Sequence, residues 1–263
     1  MKKFFVLILA VTIFIGMVGC GKYSADFENA NDKSQPTEKK SQDTAEINNE
    51  TDKKDKISKQ IQLIADNIDL WKIDDEIENG AYAVCDINNN GRLEIISSTC
   101  QGTGMYSQNN IWEVNENMDG LVKCSQTIKE GDSQADIMSA NIIPAYYDSQ
   151  KNVYYLIFDD LTKSSMAEYY ENKRSWSLQN NQVIENYLAY KSTIYTDSDN
   201  TDITCKDAED NIISEEEYNN IADKIYSNLK KMSMKISWIN SSDMDKDKIY
   251  NQLEDSYNNF SIK

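Results

Sequence analysis

The chain has 263 residues, with 27 Lys and Arg against 44 Asp and Glu, a formal net charge of −17, and no histidine. Without an imidazole it cannot form a Ser-His-Asp or Cys-His nucleophile pair, or a zinc or haem site with histidine ligands. The acidic balance also argues against nucleic acid as a partner, because nucleic-acid binding requires a basic surface.

The first twenty residues predict export. Lys2 and Lys3 precede an apolar run from Phe4 to Ile15, which is too short for a comfortable membrane span. The run closes on Gly16-Met17-Val18-Gly19-Cys20. The sequence therefore predicts a signal segment with a small residue before the cysteine.

This ending resembles the lipobox of bacterial lipoproteins, with Met17 in place of the usual leucine. The resemblance implies that residues 1–19 are a signal peptide and that Cys20 is lipidated, with palmitate among its acyl chains. The protein is then held by lipid at the outer face of the cell membrane, and the bilayer is its first partner. The alternatives are an uncleaved anchor or an ordinary secretory signal, and both also export the rest of the chain.

The segment 20–56 is predicted to be the lipidated cysteine followed by a disordered tether. It is rich in Lys, Glu, Asp, Asn and Ser, so it cannot bury enough apolar surface to become ordered. Removal of residues 1–19 takes away two lysines and leaves 25 basic against 44 acidic side chains, or −19. Since an anionic leaflet repels this charge, stable attachment requires several acyl chains. Residues 57–263 fit one globular domain.

The domain is predicted to begin with a helix and to continue as strands. Ile57, Ile61, Ile64 and Ile68 recur at spacings of three and four, and from Ala81 the apolar period changes to two. Short links between consecutive strands favour an antiparallel meander. The predicted strands are 81–86, 92–99, 110–115, 121–126, 141–147, 153–159, 166–178, 182–196 and 202–206.

The C-terminal part is predicted to contain two helices with one strand between them. Ser214 and Glu217 form a capping box before an apolar stripe of helical period, and Met232 to Trp238 alternate as a strand does. Ser242 is predicted to cap the last helix. The fold class is therefore α+β, a largely antiparallel β-meander sheet with an N-terminal helix and two C-terminal helices.

The segment Asp86-Ile-Asn88-Asn-Asn90-Gly-Arg92-Leu-Glu94 is the sharpest local motif. Oxygen side chains stand at positions 1, 3, 5 and 9, and position 7, Arg92, offers its backbone carbonyl, as in a calcium loop. With two carboxylates the affinity for calcium would be weak, roughly 10⁻⁴ to 10⁻³ M. The alternative is a polar hairpin turn in which Asp86 accepts hydrogen bonds from backbone amides and no ion is present.

The stretch from Tyr82 to Ile96 follows the pattern Tyr-x-x-x-Asp-x-x-x-x-Gly-x-x-Glu. Together with the lipobox, this hairpin resembles uncharacterised lipoproteins of anaerobic, low-GC Gram-positive bacteria, and the hairpin itself is similar to those of FG-GAP repeats. The resemblance covers about 15 residues of the hairpin and implies a surface location more than any reaction.

Four cysteines follow Cys20, and they lack the CxxC spacing of a redox motif. They allow two disulfides in three pairings, but free thiols are favoured if the organism lives without oxygen. These cysteines are Cys85, Cys100, Cys124 and Cys205.

Catalysis by paired carboxylates needs no histidine. Asp159, Asp160, Glu168 and Glu171 lie among aromatic residues and are candidates for a glycan hydrolase. However, adjacent acids are expected by chance in a chain with 44 of them. The sequence therefore favours a non-enzymatic surface domain that binds an extracellular ligand or protein. The alternatives are a cell-wall or glycan hydrolase that uses carboxylates and a structural envelope component.

The lipid anchor gives the first testable prediction. We expect Cys20→Ala to move the protein from the membrane fraction to the soluble fraction, because the acyl chains would have no attachment point. Fractionation followed by immunoblotting measures this. Undiminished membrane retention of the variant would contradict the lipoprotein interpretation.

Overall fold

The structure, a computed structural model, describes residues 41–263 except 75, 129–132 and 197–200, with side chains from residue 51 onward. The predicted signal segment and Cys20 lie outside the described residues. The compact unit runs from Ala45 to Lys263.

The described part contains four α-helices and fourteen strands. The helices are α1 (Ser41–Asp66), α2 (Ile68–Trp71), α3 (Glu215–Ile225) and α4 (Ile249–Asn258). The strands are β1 (Gly80–Cys85), β2 (Glu94–Gln101), β3 (Tyr106–Val114), β4 (Leu121–Lys123), β5 (Ser125–Gln126), β6 (Ile142–Asp148), β7 (Val153–Lys163), β8 (Glu168–Gln179), β9 (Gln182–Tyr195), β10 (Thr201–Asp207), β11 (Ile212–Ile213), β12 (Lys230–Lys235), β13 (Ile239–Asn240) and β14 (Ser261–Ile262).

The strands form two sheets. The smaller sheet has the order β13-β1-β2-β3-β4, and the larger one has the order β11-β10-β9-β8-β7-β6-β12-β14. Pairing between neighbours is antiparallel, except that β5 joins β9 in parallel. The C-terminal strands pair with strands made much earlier, β13 with β1 and β12 with β6, so the end of the chain ties the sheets together.

Strand β1 has apolar residues on both faces, so a single sheet without a covering layer on each side would leave one of these faces in water. All six residues of β1 are buried, and Ala83 and Cys85 face one core while Tyr82 and Val84 face another. A strand with two apolar faces must be covered on both sides. The first core lies between the two sheets and joins residues such as Ile96 of β2 to Leu156 and Trp176 of the larger sheet.

The helices cover the outer faces of both sheets. Ile61 and Ile64 of α1 and Leu253 of α4 are completely buried against the smaller sheet. On the other side, Tyr218, Ile221 and Ala222 of α3 pack on the larger sheet. The domain is therefore built in four layers, helices, sheet, sheet and helix, with three apolar cores between them.

The predicted α+β class with mostly antiparallel strands is confirmed. The single meander sheet is wrong, because the strands divide between two sheets. The capping box at α3 is present. Ser214 Oγ accepts a hydrogen bond from Glu217 N, and Glu217 Oε2 accepts one from Ser214 N.

Two other helix predictions differ from the structure. Helix α1 begins at Ser41, inside the predicted disordered tether 20–56, because each residue added to an existing helix gains a backbone hydrogen bond without the cost of starting a new helix. Ser242 lies in a short 3₁₀ turn, and α4 begins after Lys248 instead.

Candidate functional site

The hairpin between β1 and β2 is closed by Asp86. Its two carboxylate oxygens accept hydrogen bonds from Asn90 N at 2.9 Å and Gly91 N at 3.0 Å. The side-chain oxygens of Asn88 and Asn90 likewise accept from the backbone N–H groups two residues ahead, at 3.1 and 2.7 Å. The loop oxygens at positions 1, 3 and 5 are thus engaged within the turn. Asn89 and Gly91 adopt positive φ angles of 54° and 83°, which Asn and Gly tolerate best.

The amide nitrogens of the same loop point toward a residue that the motif does not contain. Glu113 of β3 is completely buried, and its Oε1 accepts from the Nδ2 atoms of Asn88 at 3.0 Å and Asn90 at 2.6 Å. Its Oε2 accepts from Arg92 Nη2 at 2.6 Å and from Asn181 Nδ2. Four N–H donors therefore surround one carboxylate, and the loop binds an anion that belongs to the protein itself.

Glu94, the last residue of the motif, is also completely buried. Its Oε2 accepts from Ile87 N at 2.8 Å, and its Oε1 has no hydrogen-bond donor among the described residues. Glu113 stands directly opposite on the neighbouring strand. Burial, followed by the nearby charge of Asp86, raises the pKa of Glu94 well above its usual range. Two carboxyl groups therefore lie side by side in one buried space, and burial favours the neutral form of Glu94.

These residues do not fit calcium well as they stand. The Asn88 and Asn90 amides present nitrogen to Glu113, the Arg92 guanidinium occupies the same cluster, and calcium requires ionised carboxylates. In the described ranges, no group of three or more Cys, Asp or Glu side chains is arranged to hold a metal ion. The geometry matches the alternative interpretation, a hydrogen-bonded turn.

The hairpin is also held from α1. Gln60, which is 3% exposed, donates from Nε2 to Gly91 O at 3.0 Å and accepts from Leu93 N at 2.8 Å. Gln60 and Glu113 both form hydrogen bonds with the hairpin, but neither lies near the motif in sequence. A single glutamine or glutamate carries no pattern by which sequence reasoning could have found it.

The structure divides the carboxylates proposed for hydrolysis between the two faces of the larger sheet. Asp159 and Asp160 are neighbours on β7, so their side chains point to opposite faces of the sheet. Asp160 faces the smaller sheet, whereas Asp159 lies beside α3 and pairs with Lys173 Nζ at 2.5 Å. Glu171 pairs with Lys191, and Glu168 accepts from the Tyr170 hydroxyl. Asp159 and Glu171 lie on the same face, where the Tyr218 hydroxyl contacts both residues, but each of these carboxylates is already paired with a lysine.

Asp160 belongs to a polar cluster between the sheets. It is completely buried, and neither of its oxygens has a hydrogen-bond donor among the described residues. Arg174 supplies the positive charge, with Nη2 3.6 Å from Asp160 Oδ2 and Nη1 2.6 Å from Glu185 Oε1. Burial raises the pKa of Asp160 to about 6 against the opposing charge of Arg174, and the charges of Asp136 and Glu185 add to the rise. An acid enclosed in this way cannot reach a substrate.

A cleft on the outer face of the larger sheet is accessible. It has a volume of about 350 Å³, within the range of small-molecule sites, roughly 300–1,000 Å³. Its walls come from α3, from β6, β7, β8 and β12, and from residues 139–140 before β6. The apolar part of the lining includes Ala140, Pro144, Ile157 and Ala222.

Two ion pairs belong to the lining of this cleft. One is Lys173 with Asp159, whose Oδ1 also accepts from the Tyr218 hydroxyl at 3.3 Å. The other is Lys231 with Asp223, 2.7 Å apart. The Lys231 ammonium, followed by the Tyr146 hydroxyl at 2.6 Å, holds the pKa of Asp223 below its usual value.

These charged residues escaped the sequence prediction, apart from Asp159. Lysines and aspartates are frequent throughout the chain, so only the folding of β12 and α3 against β7 identifies this set. An apolar cleft with a few polar groups is the usual form of a small-molecule site.

The four cysteines of the domain, Cys85, Cys100, Cys124 and Cys205, are buried and unpaired. Burial raises the pKa of each thiol, so they are protonated at neutral pH and chemically quiet. This agrees with the expectation of free thiols and gives them a packing role.

None of the helices in the described part combines the length and apolar character needed to cross a membrane. Comparison with known proteins gives no match: no family model fits the chain, and neither a curated protein nor a solved structure is significantly similar to it.

The hairpin generates a prediction about calcium. Because Glu113 and the backbone amides already satisfy the loop, we expect calorimetry at millimolar calcium to give no binding heat with the wild-type protein or with Asp86→Ala. Binding heat in the wild type that disappears in Asp86→Ala would instead establish the calcium site.

The buried cluster generates a prediction about pH. The pKa of folded Asp160, about 6, exceeds the unfolded value of about 3.9, so the folded state holds this proton more tightly and loses stability as pH rises from about 4 through 6. Between about pH 4 and pH 7.5, the free energy of unfolding of Asp160→Asn should rise by on the order of 2 kcal/mol relative to that of the wild type, because the substitution removes a buried charge.

Urea unfolding at several pH values measures this difference. Asp210→Asn is the matched control, since Asp210 is 84% exposed and its replacement should give a difference that stays flat with pH. A flat difference for Asp160→Asn as well would show that Asp160 is ionised and well solvated in the folded protein.

Proposed function

We propose that this chain is an extracytoplasmic lipoprotein, anchored to the outer face of the cell membrane through acylated Cys20, whose domain binds a ligand without converting it. The anchor is supported by the lipobox-like sequence before Cys20. In this proposal, an N-terminal helix and two C-terminal helices flank the sheets of one binding domain. Nucleic acid is not among the proposed partners.

The cleft beside α3 is the observation that carries the binding function. It combines an apolar floor with two ion pairs, and it is open to solvent on a face stiffened by a nine-stranded sheet. Binding sites held on rigid elements need little reorganisation when a ligand enters.

The arrangement of carboxylates supports binding over hydrolysis. A glycosidase needs two carboxyl groups facing one another across the scissile bond, about 5–10 Å apart. Asp159 and Asp160 point to opposite faces, and Asp160 is completely buried. The hydrolase alternative would therefore need a partner for Asp159 other than Asp160, and Glu171 on the same face is already paired with Lys191. The structural alternative would leave the cleft without a role.

For the 86–94 hairpin we propose the hydrogen-bonded turn, and the alternative is a weak calcium site. The spacing of oxygen side chains from Asp86 to Glu94 and the unpartnered Glu94 Oε1 support it, whereas the donors gathered around Glu113 oppose it. In the binding function proposed here the hairpin is structural whether or not it holds an ion.

The binding function predicts that a small solute stabilises the protein through the cleft. A ligand at 100 times its Kd stabilises by about 2.7 kcal/mol, which raises the Tm of a domain of this size by roughly 5–10 °C. We expect at least one class in a panel of amino acids, short peptides, sugars and nucleosides to give such a shift, and to be recovered unchanged after incubation.

A variant that fills the cleft supplies the control. Ala140→Phe places a ring in the cleft and should abolish the shift, whereas Ala167→Phe makes the same substitution at an exposed site on the β7–β8 loop and should preserve it. Consumption of a solute by the protein would favour the hydrolase alternative. A panel without any shift would contradict the binding function.

A further inference from the structure

The two ion pairs of the cleft differ in which partner reaches solvent. In the first pair the Lys173 side chain is 8% exposed and Asp159 is 55% exposed. In the second pair Lys231 is 62% exposed and Asp223 is 47% exposed. The more accessible charge is therefore negative in the first pair and positive in the second, so the cleft has a polarity.

Both accessible groups, Asp159 and Lys231, can still form hydrogen bonds with a ligand. Lys173 and the Tyr218 hydroxyl both bond to Oδ1 of Asp159, so Oδ2 is the oxygen left for a ligand. Lys231 Nζ gives one of its three hydrogens to Asp223 Oδ1, and that oxygen also accepts from the Tyr146 hydroxyl. A ligand can thus be held at either end without breaking an existing ion pair.

Small and aliphatic side chains line the cleft together with the charged groups. Ala140, Pro144, Ile157 and Ala222 contribute hydrocarbon, and the volume of about 350 Å³ is near the lower limit for small-molecule sites, roughly 300 Å³. The two lysines and two aspartates of the lining balance one another. Since the whole chain carries a net charge of −17, a ligand with a net negative charge would be repelled.

We propose that the cleft binds a short peptide of about two residues with free termini. The terminal ammonium is held by Asp159, the terminal carboxylate by Lys231, and the side chains rest on the apolar floor. Such a ligand has no net charge, carries opposite charges at its two ends, and has apolar groups between them. This inference rests on the proposed binding function and names the ligand class for the same site.

Calorimetry with three forms of one dipeptide tests the proposal on the full-length protein in detergent. The probes are alanyl-leucine, its N-acetyl derivative and its C-terminal amide. We expect alanyl-leucine to bind in the millimolar range or tighter, and each modified form to bind about fivefold more weakly, as for the loss of a partly exposed ion pair.

Two variants assign each terminus to its residue. In Asp159→Asn, acetylation should have no further effect, while amidation should still weaken binding. In Lys231→Gln, the reverse should hold. Lys248→Gln is the matched control, since Lys248 pairs with Asp245 at 3.0 Å and does not line the cleft. The modified peptides keep the test valid if Asp159→Asn fails to fold, because they probe the same contacts in the wild type.

The proposal is overturned if alanyl-leucine does not bind to the wild type, or if both modifications weaken binding equally in every variant. These outcomes are separate from a failure of the binding function. If a sugar or nucleoside stabilises the wild type but not Ala140→Phe, the cleft binds a ligand of another class. If no solute stabilises the wild type, the binding function itself has failed.

Discussion

The carboxylate of Glu113 holds the two sheets of the domain in place. It is completely buried, and its four donors come from both sides of the inter-sheet core: Asn88, Asn90 and Arg92 from the hairpin of the smaller sheet, and Asn181 from the β8–β9 turn of the larger one. A buried charge without donors costs several kcal/mol, and one of the four donors of Glu113 is supplied only when the larger sheet packs on the smaller one. The motif that resembles a calcium loop therefore acts here as a clasp around a carboxylate.

This clasp has a consequence for function. A second polar cluster, with Asp160, Arg174 and Glu185, lies in the same inter-sheet layer, and the apolar core lies in that layer too. Glu94 and Asp160, whose pKa values burial raises, are thus enclosed between sheets that cannot separate without losing these contacts. A solute can instead contact the outer face of the larger sheet, where α3 covers only part of the sheet and leaves a cleft beside it.

Local patterns in the sequence predict local structure well. The alternation from Val153 to Asp159 predicts β7, and the capping box at Ser214 predicts the start of α3, because both signals depend on neighbours a few residues apart. The number of sheets depends on what covers the second face of β1. That information lies in strands far along the chain, such as β7 with Leu156 and β8 with Trp176, so the periodicity of the segment cannot supply it.

The sites were less predictable for the same reason. Asn181 lies 68 residues from Glu113, and Lys231 belongs to a strand that pairs with β6. Neither residue is distinguished in a chain with 27 basic and 44 acidic side chains. The adjacency of Asp159 and Asp160 pointed to a shared site, but alternation along a strand sends neighbouring side chains to opposite faces. Here one aspartate is enclosed and the other lines the cleft.

The central claim is that the protein binds a small ligand on its outer face, beside α3, and not between the sheets. Mapping of backbone amide chemical shifts during titration with a short peptide tests it most directly. We expect chemical-shift changes confined to β6, β7, β12 and α3 around Asp159 and Lys231, with the hairpin at Asp86 unchanged. Shifts centred on Asp160 and Glu185, or an unchanged spectrum at saturating peptide, would contradict it.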